Sequence, residues 1–182
     1  MGDGTWRARA GGVAAAAVAA GCLVMSGGGD RALAQGERDV LTVAQDYFRA
    51  LYAPDHDRVR EVASPAMTFA DPTAEGQVVA ITSAASRDEF LAYLQANSVG
   101  SDAEAVVDRA FQTGRYATLY VTYRGTVDGA QLGRPGTRVA FETAGVTVLT
   151  VENGLVTHHQ DYVDYETLDR QFGWELQPPS ER

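Results

Sequence analysis

The sequence predicts an α+β domain: a cone-like, curved antiparallel sheet with helices packed on its concave side and one apolar pocket between the layers. Three observations predict it. Apolar residues recur at helical spacing mainly between Asp39 and Leu94. From Ala105 to Asp164 the chain alternates apolar and polar residues in long runs instead. Short turn signals, Thr113-Gly114, Asp128-Gly129 and Asn153-Gly154, separate those runs and join them as antiparallel neighbours.

The elements follow in order. Residues 1–34 read as a secretory signal peptide. Arg7 and Arg9 precede an alanine-rich apolar stretch from Ala10 to Met25, and Ala32-Leu33-Ala34 forms a cleavage site before Gln35. An alternative is lipid attachment at Cys22, although Ala19 stands where leucine is usual. Either route places the protein outside the cytoplasm, in the periplasm, the cell envelope or the medium. Residues 35–182 then form one domain.

Asp39 to Tyr52 reads as an amphipathic helix, with Val40, Ala44, Tyr47 and Leu51 on one face and Pro54 as its stop. Asp57 to Ala63 reads as a short second helix ended by Pro65. Met67 to Asp71 alternates like a strand closed by Pro72, with Met67, Phe69 and Asp71 on one face. Gln77 to Thr82 is a further strand. Ser86 and Glu89 suggest a capping box for a helix whose apolar face is Phe90, Leu91, Tyr93 and Leu94. Four strands follow: Ala105 to Phe111, Tyr116 to Val127, Arg138 to Val151, and Leu155 to Asp164. A short helix or tail carrying Leu168, Phe172 and Trp174 ends the chain.

Composition removes several chemistries. The one cysteine, Cys22, lies in the leader, so neither disulfides nor thiolate catalysis are expected in the domain. The chain has no lysine, which excludes Schiff-base and P-loop chemistry. Acidic residues number 24 against 15 basic ones. An acidic chain with scattered arginines suits neither nucleic acid nor an anionic membrane surface. We expect no cofactor, no nucleic acid and no stable membrane insertion.

Three segments carry a family resemblance: Gln45 to Leu51 on the opening helix, Phe69-Ala70-Asp71-Pro72 after the short strand, and Asn153 to Asp164 with the following Gln171-Phe172-Gly173. In order and spacing they resemble the nuclear transport factor 2-like superfamily, especially its SnoaL-like and ketosteroid-isomerase-like branches. The resemblance implies the cone fold, a small apolar molecule as partner, and pairing of sheets into homodimers. By the isomerase pattern Asp71 is the general base and Tyr47 donates to the developing oxyanion. The second oxyanion donor of those isomerases has no acidic counterpart here, where Thr147 stands nearby. The closing run also resembles that of limonene-epoxide-hydrolase-like proteins, in which the residue matching Asp161 helps activate water. Their Arg-x-Asp pair is absent from Leu119 to Arg124.

The last strand concentrates the titratable groups. Alternation sets His159 and Asp161 on one face and His158 on the other, with the former pair roughly 7 Å apart at strand spacing. They are candidates for an acid–base pair, with Asp71 and Tyr47 completing the catalytic set. Phe69, Tyr120, Tyr123, Phe141 and Trp174 are the candidate pocket lining. A metal set of His159, Asp161 and Asp71 has no support in spacing. The reading is an exported protein that binds a small apolar molecule and abstracts a proton alpha to a carbonyl, as an isomerase or cyclase does. The alternatives are a non-catalytic ligand-binding or dimeric interaction module and an epoxide-hydrolase-like enzyme.

Overall fold

A computed structural model describes residues 39–73, 77–97 and 102–173. The opening helix α1 (Val40–Tyr52) buries Val43, Ala44, Tyr47, Phe48, Ala50 and Leu51 along one stripe. This is the face its apolar spacing dictates. Helix α2 (His56–Val62) starts at Asp55, whose side chain accepts the Arg58 N–H. It runs directly into β1 (Ala63–Asp71). The strand thus begins earlier than its alternating pattern suggested and contains Pro65, expected to lie before it. Pro65 falls within the irregular stretch between Ala63 and Thr68 where the register against the last strand shifts. A residue without an N–H is tolerated at such a point.

After β2 (Gln77–Ile81) comes α3 (Ala84–Asn97). Its capping box sits one turn earlier than expected. The Ser83 hydroxyl accepts the Ser86 N–H at 3.2 Å, and the Ser86 hydroxyl accepts the Ser83 N–H at 3.0 Å. Ser86 therefore occupies the reciprocal position assigned to Glu89. Leu91 is buried and Phe90 and Leu94 pack against the core, whereas Tyr93 points outward at 48 % exposure. The chain continues through β3 (Glu104–Thr113), β4 (Tyr116–Asp128), a 3-10 turn (Gly129–Leu132), β5 (Arg138–Glu152), β6 (Leu155–Val163) and α4 (Tyr165–Phe172). Asn153 and Gly154 both take positive φ, 53° and 75°. That is the two-residue hairpin turn their sequence encodes.

The six strands form one sheet in the order β2-β1-β6-β5-β4-β3. It is mixed rather than wholly antiparallel, because β1 and β6 run parallel. The first strand and the last become neighbours only through a long crossover, and direction follows from that connection, which local alternation does not encode. On β4, Ala117, Leu119, Val121 and Tyr123 are buried, while Tyr116 and Tyr120 project from the opposite face. The α1 helix lies across β3, β4, β5 and β6 on the buried side. At one end Phe172 of α4 meets Phe141 of β5 edge-on, at 5.8 Å between ring centres. Gln171 makes two hydrogen bonds to the backbone of Glu142. None of the described helices is long and apolar enough to cross a membrane.

Candidate active site

The inner face of β6 supplies His159 and Asp161, both buried. They stand opposite Leu149 and Thr147 of β5. At strand spacing the two side chains were expected to stand well apart. Their tips converge instead, with Nε2 of His159 2.9 Å from Oδ2 of Asp161. The approach lies off the direction of a linear hydrogen bond, leaving Nε2 without a formal hydrogen-bond partner. It is a close charge–dipole contact, or an ion pair when the ring is protonated. On the other side of the imidazole, Nδ1 is 3.1 Å from the hydroxyl of Tyr47 on α1. Phe69 of β1 covers the ring at 4.3 Å between centres and is itself backed by Phe90. Tyr47, His159 and Asp161 therefore make one contiguous set.

A second arm reaches Asp161 from β4 and β5. The Thr147 hydroxyl donates to Oδ1 of Asp161 at 2.5 Å. The Tyr123 hydroxyl lies 3.5 Å from Thr147, and that of Tyr52 lies 3.4 Å from Tyr123. Close approach at Gly145 shapes this arm. A Cβ there would fall 2.7 Å from the Tyr123 ring, so only glycine lets the ring cross β5 toward Thr147.

Burial, reinforced by the Asp161 charge, raises the pKa of Tyr47 and Tyr123 well above the ordinary phenol value. Tyr52 shifts in the same direction for the same reasons. As a residue Tyr52 retains some solvent exposure, so its shift reflects an enclosed hydroxyl rather than an enclosed ring. All three phenols keep their protons at neutral pH.

Asp71 has different company. Its Oδ1 accepts the Thr73 N–H at 3.0 Å and the Thr73 hydroxyl at 2.5 Å. Its Oδ2 accepts the Tyr165 hydroxyl at 2.6 Å. The Thr73 hydroxyl in turn accepts the Val163 N–H, so Asp71 ties the ends of β1 and β6 to the start of α4. This is the behaviour of a turn aspartate beside a proline. Tyr47 meets His159, and the bonds described for Asp71 run to Thr73 and Tyr165. The two carboxylates still share a neighbourhood, since Asp71 and Asp161 both act on Tyr123 and Tyr165. In Tyr165 burial is the largest cause of a raised pKa, followed by the bond to Asp71.

The candidate lining divides. Phe69 and Tyr123 lie at the cluster, whereas Phe141 packs against α4. Tyr120 does not line the interior: it is 46 % exposed on the outer face, because strict alternation from buried Leu119 and Val121 turns it outward. Trp174 falls outside the described residues, as do residues 1–34 and the cleavage site expected at their end. His158 is on the outer face, 3.1 Å from Gln160. Among the described residues no group of three histidine, cysteine or acidic side chains could hold a metal ion. Thr147, Tyr52, Tyr165 and Thr73 are site residues for which the sequence carried no motif.

Comparison with known proteins adds a family and a set of folds. The model of the SnoaL-like domain matches residues 44–159. No functionally curated protein matches the chain. Among solved structures, a candidate SnoaL-like polyketide cyclase from Shewanella putrefaciens superposes with a TM-score of 0.65 at 21% identity, covering 77% of this chain and 100% of that one. IdmH, a candidate polyketide cyclase from Streptomyces antibioticus, gives 0.62 at 23% identity, over 75% of this chain and 99% of that one. An epoxide hydrolase of limonene-epoxide-hydrolase type from M. tuberculosis gives 0.54 at 16% identity, over 73% and 88%.

Proposed function

Because the chain belongs to the SnoaL-like domain family of the nuclear transport factor 2-like superfamily, we propose that it takes a small, largely apolar carbonyl compound into its cone and performs cofactor-independent acid–base chemistry on it. The carrying observation is the buried contact set of Tyr47, His159 and Asp161, in which one imidazole has a polar neighbour close to each nitrogen. A histidine so placed exchanges a proton with one neighbour while the other compensates the charge. In this reading His159 and Asp161 hold and return the proton, Tyr47 carries it to the ligand, and Asp71 keeps β1, β6 and α4 in register. The setting is extracytoplasmic, after removal of residues 1–34.

The test has two stages. Mass spectrometry of small molecules retained by the purified mature protein identifies the ligand. With that compound, His159→Gln should lower turnover by about 10²–10⁴-fold, the usual worth of a positioned acid or base, at unchanged circular dichroism. Unchanged turnover would remove the catalytic reading.

One observation favours a second reading, a non-catalytic binding module. The carboxylate that would be the base in an isomerase accepts bonds from the Thr73 N–H, the Thr73 hydroxyl and the Tyr165 hydroxyl. Under that reading His159→Gln changes ligand retention and no chemistry is found.

A further inference from the structure

The direction of the protons around His159 determines what Tyr47 can offer a ligand. Thr147 has a single hydroxyl proton and gives it to Asp161. In its contact with Tyr123 it can then only accept, so Tyr123 is the donor. The one phenolic proton of Tyr123 is thereby used, and Tyr52 must donate to it in turn. This arm therefore ends with its protons directed toward Asp161. The two outer links are longer than the usual O–H···O range of about 2.5–3.0 Å, but the short Thr147 bond alone makes Asp161 the acceptor. An accepting carboxylate oxygen 2.9 Å from Nε2 is attractive only if Nε2 carries hydrogen. In the neutral ring Nδ1 is then the bare nitrogen, and the Tyr47 hydroxyl donates to it. With its one proton committed, Tyr47 has only lone pairs left for anything that binds beside it.

We infer that the ligand of this site meets Tyr47 through a hydrogen-bond donor, the enol form of the carbonyl compound or a phenolic hydroxyl, rather than through a bare carbonyl oxygen. The inference rests on the reading of Tyr47, His159 and Asp161 as the working site. The proton balance follows directly. The ligand O–H bond breaks as its proton passes to the Tyr47 oxygen, and the Tyr47 proton passes to Nδ1. The ligand becomes an enolate or phenolate, and the imidazolium formed sits against the Asp161 carboxylate. Return of the two protons regenerates the starting state, and no oxidant or co-reactant is consumed. Tyr47 is thus a relay for a base, the reverse of an oxyanion donor. Phe69 against the imidazole keeps water from competing for the ring.

Two measurements test this. Nitrogen-15 NMR of His159 in the full mature protein should report a neutral ring protonated at Nε2. An imidazolium, or the opposite tautomer, overturns the inference without any ligand being needed. The second uses 1-naphthol and 1-tetralone, matched in shape but differing in hydroxyl and carbonyl. Tyr47→Phe should weaken naphthol binding about tenfold, the worth of one such hydrogen bond, and leave tetralone within about twofold. The carbonyl stretch of bound tetralone should stay at its value in an apolar solvent. A lowered stretch, equal weakening of both probes, or binding of neither at millimolar concentration overturns it. Loss of turnover in His159→Gln alongside a tetralone-binding, proton-donating Tyr47 would keep the active site and reject this ligand class alone.

Discussion

Thr147 and Asp161 face each other across β5 and β6, and both are buried. Thr147→Val keeps the shape but strips Asp161 of a donor, so unfolding in urea should show a loss of about 1–3 kcal/mol, the cost of one unsatisfied buried acceptor. Thr147→Ser retains the hydroxyl and should recover most of it. The enclosed phenols make a prediction about alkali. Burial raises the pKa of Tyr47, Tyr52, Tyr123 and Tyr165 above the unfolded value near 10. A raised acid pKa contributes stability that is complete below that unfolded value and lost as pH climbs past it. Stability should therefore fall steeply above about pH 10. The tyrosinate absorbance of these four residues should appear together with loss of circular dichroism. Ionisation of all four in a folded protein would contradict the buried network.

At the scale of elements, two small residues set the geometry. Gly145→Ala would push the Tyr123 ring away from Thr147. We expect about 1–3 kcal/mol of destabilisation from that overpacking, read by thermal or urea melts. Ser83→Ala removes half of the reciprocal cap of α3 and should cost about 1 kcal/mol. Much of this layer was legible in the sequence, because period and turn chemistry are local. The apolar stripe of α1, the alternation of β4 and the Asn153-Gly154 turn all stand as their residues encode them. The pairing inside the site was not legible, for a physical reason. A bulge between Thr150 and Val151 shifts the register of β5 on β6. Counting back from the Asn153-Gly154 turn without it would set Asp161 opposite Val146 and hide its pairing with Thr147. The same irregularity places Val156 and His159 both inside the core, a spacing that plain alternation forbids. Asp71 was ambiguous for another reason. A turn aspartate and a catalytic one look alike before a proline, and the bond from Tyr165, 94 residues along the chain, leaves no local signal in the sequence.

For the whole molecule, two expectations concern its state after synthesis. Mass spectrometry of the exported protein should show a chain beginning at Gln35, and retention of residues 1–34 would refute cleavage there. The outer sheet face exposes Phe111, Tyr116, Tyr120 and Tyr162, with Phe111 and Tyr120 in edge contact. Pairing of two copies through this face would cover it, and Tyr120→Arg should then halve the sedimenting mass. A wild type that sediments as a monomer would exclude that pairing. The strand order has a further consequence, which concerns timing. The hairpin β1–β2 and the meander β3–β4–β5 have no strand contact with each other; β6, the last strand made, is wedged between them. Tyr47 and His159 are 112 residues apart in sequence, and closing so long a loop is slow. Until residues 155–163 leave the ribosome the two halves of the sheet have no strand to join them. Under the export and the active site proposed above, a chain that threads through a translocation channel would benefit from such a late keystone, and the strand that locks the fold would also be the one that carries His159 and Asp161.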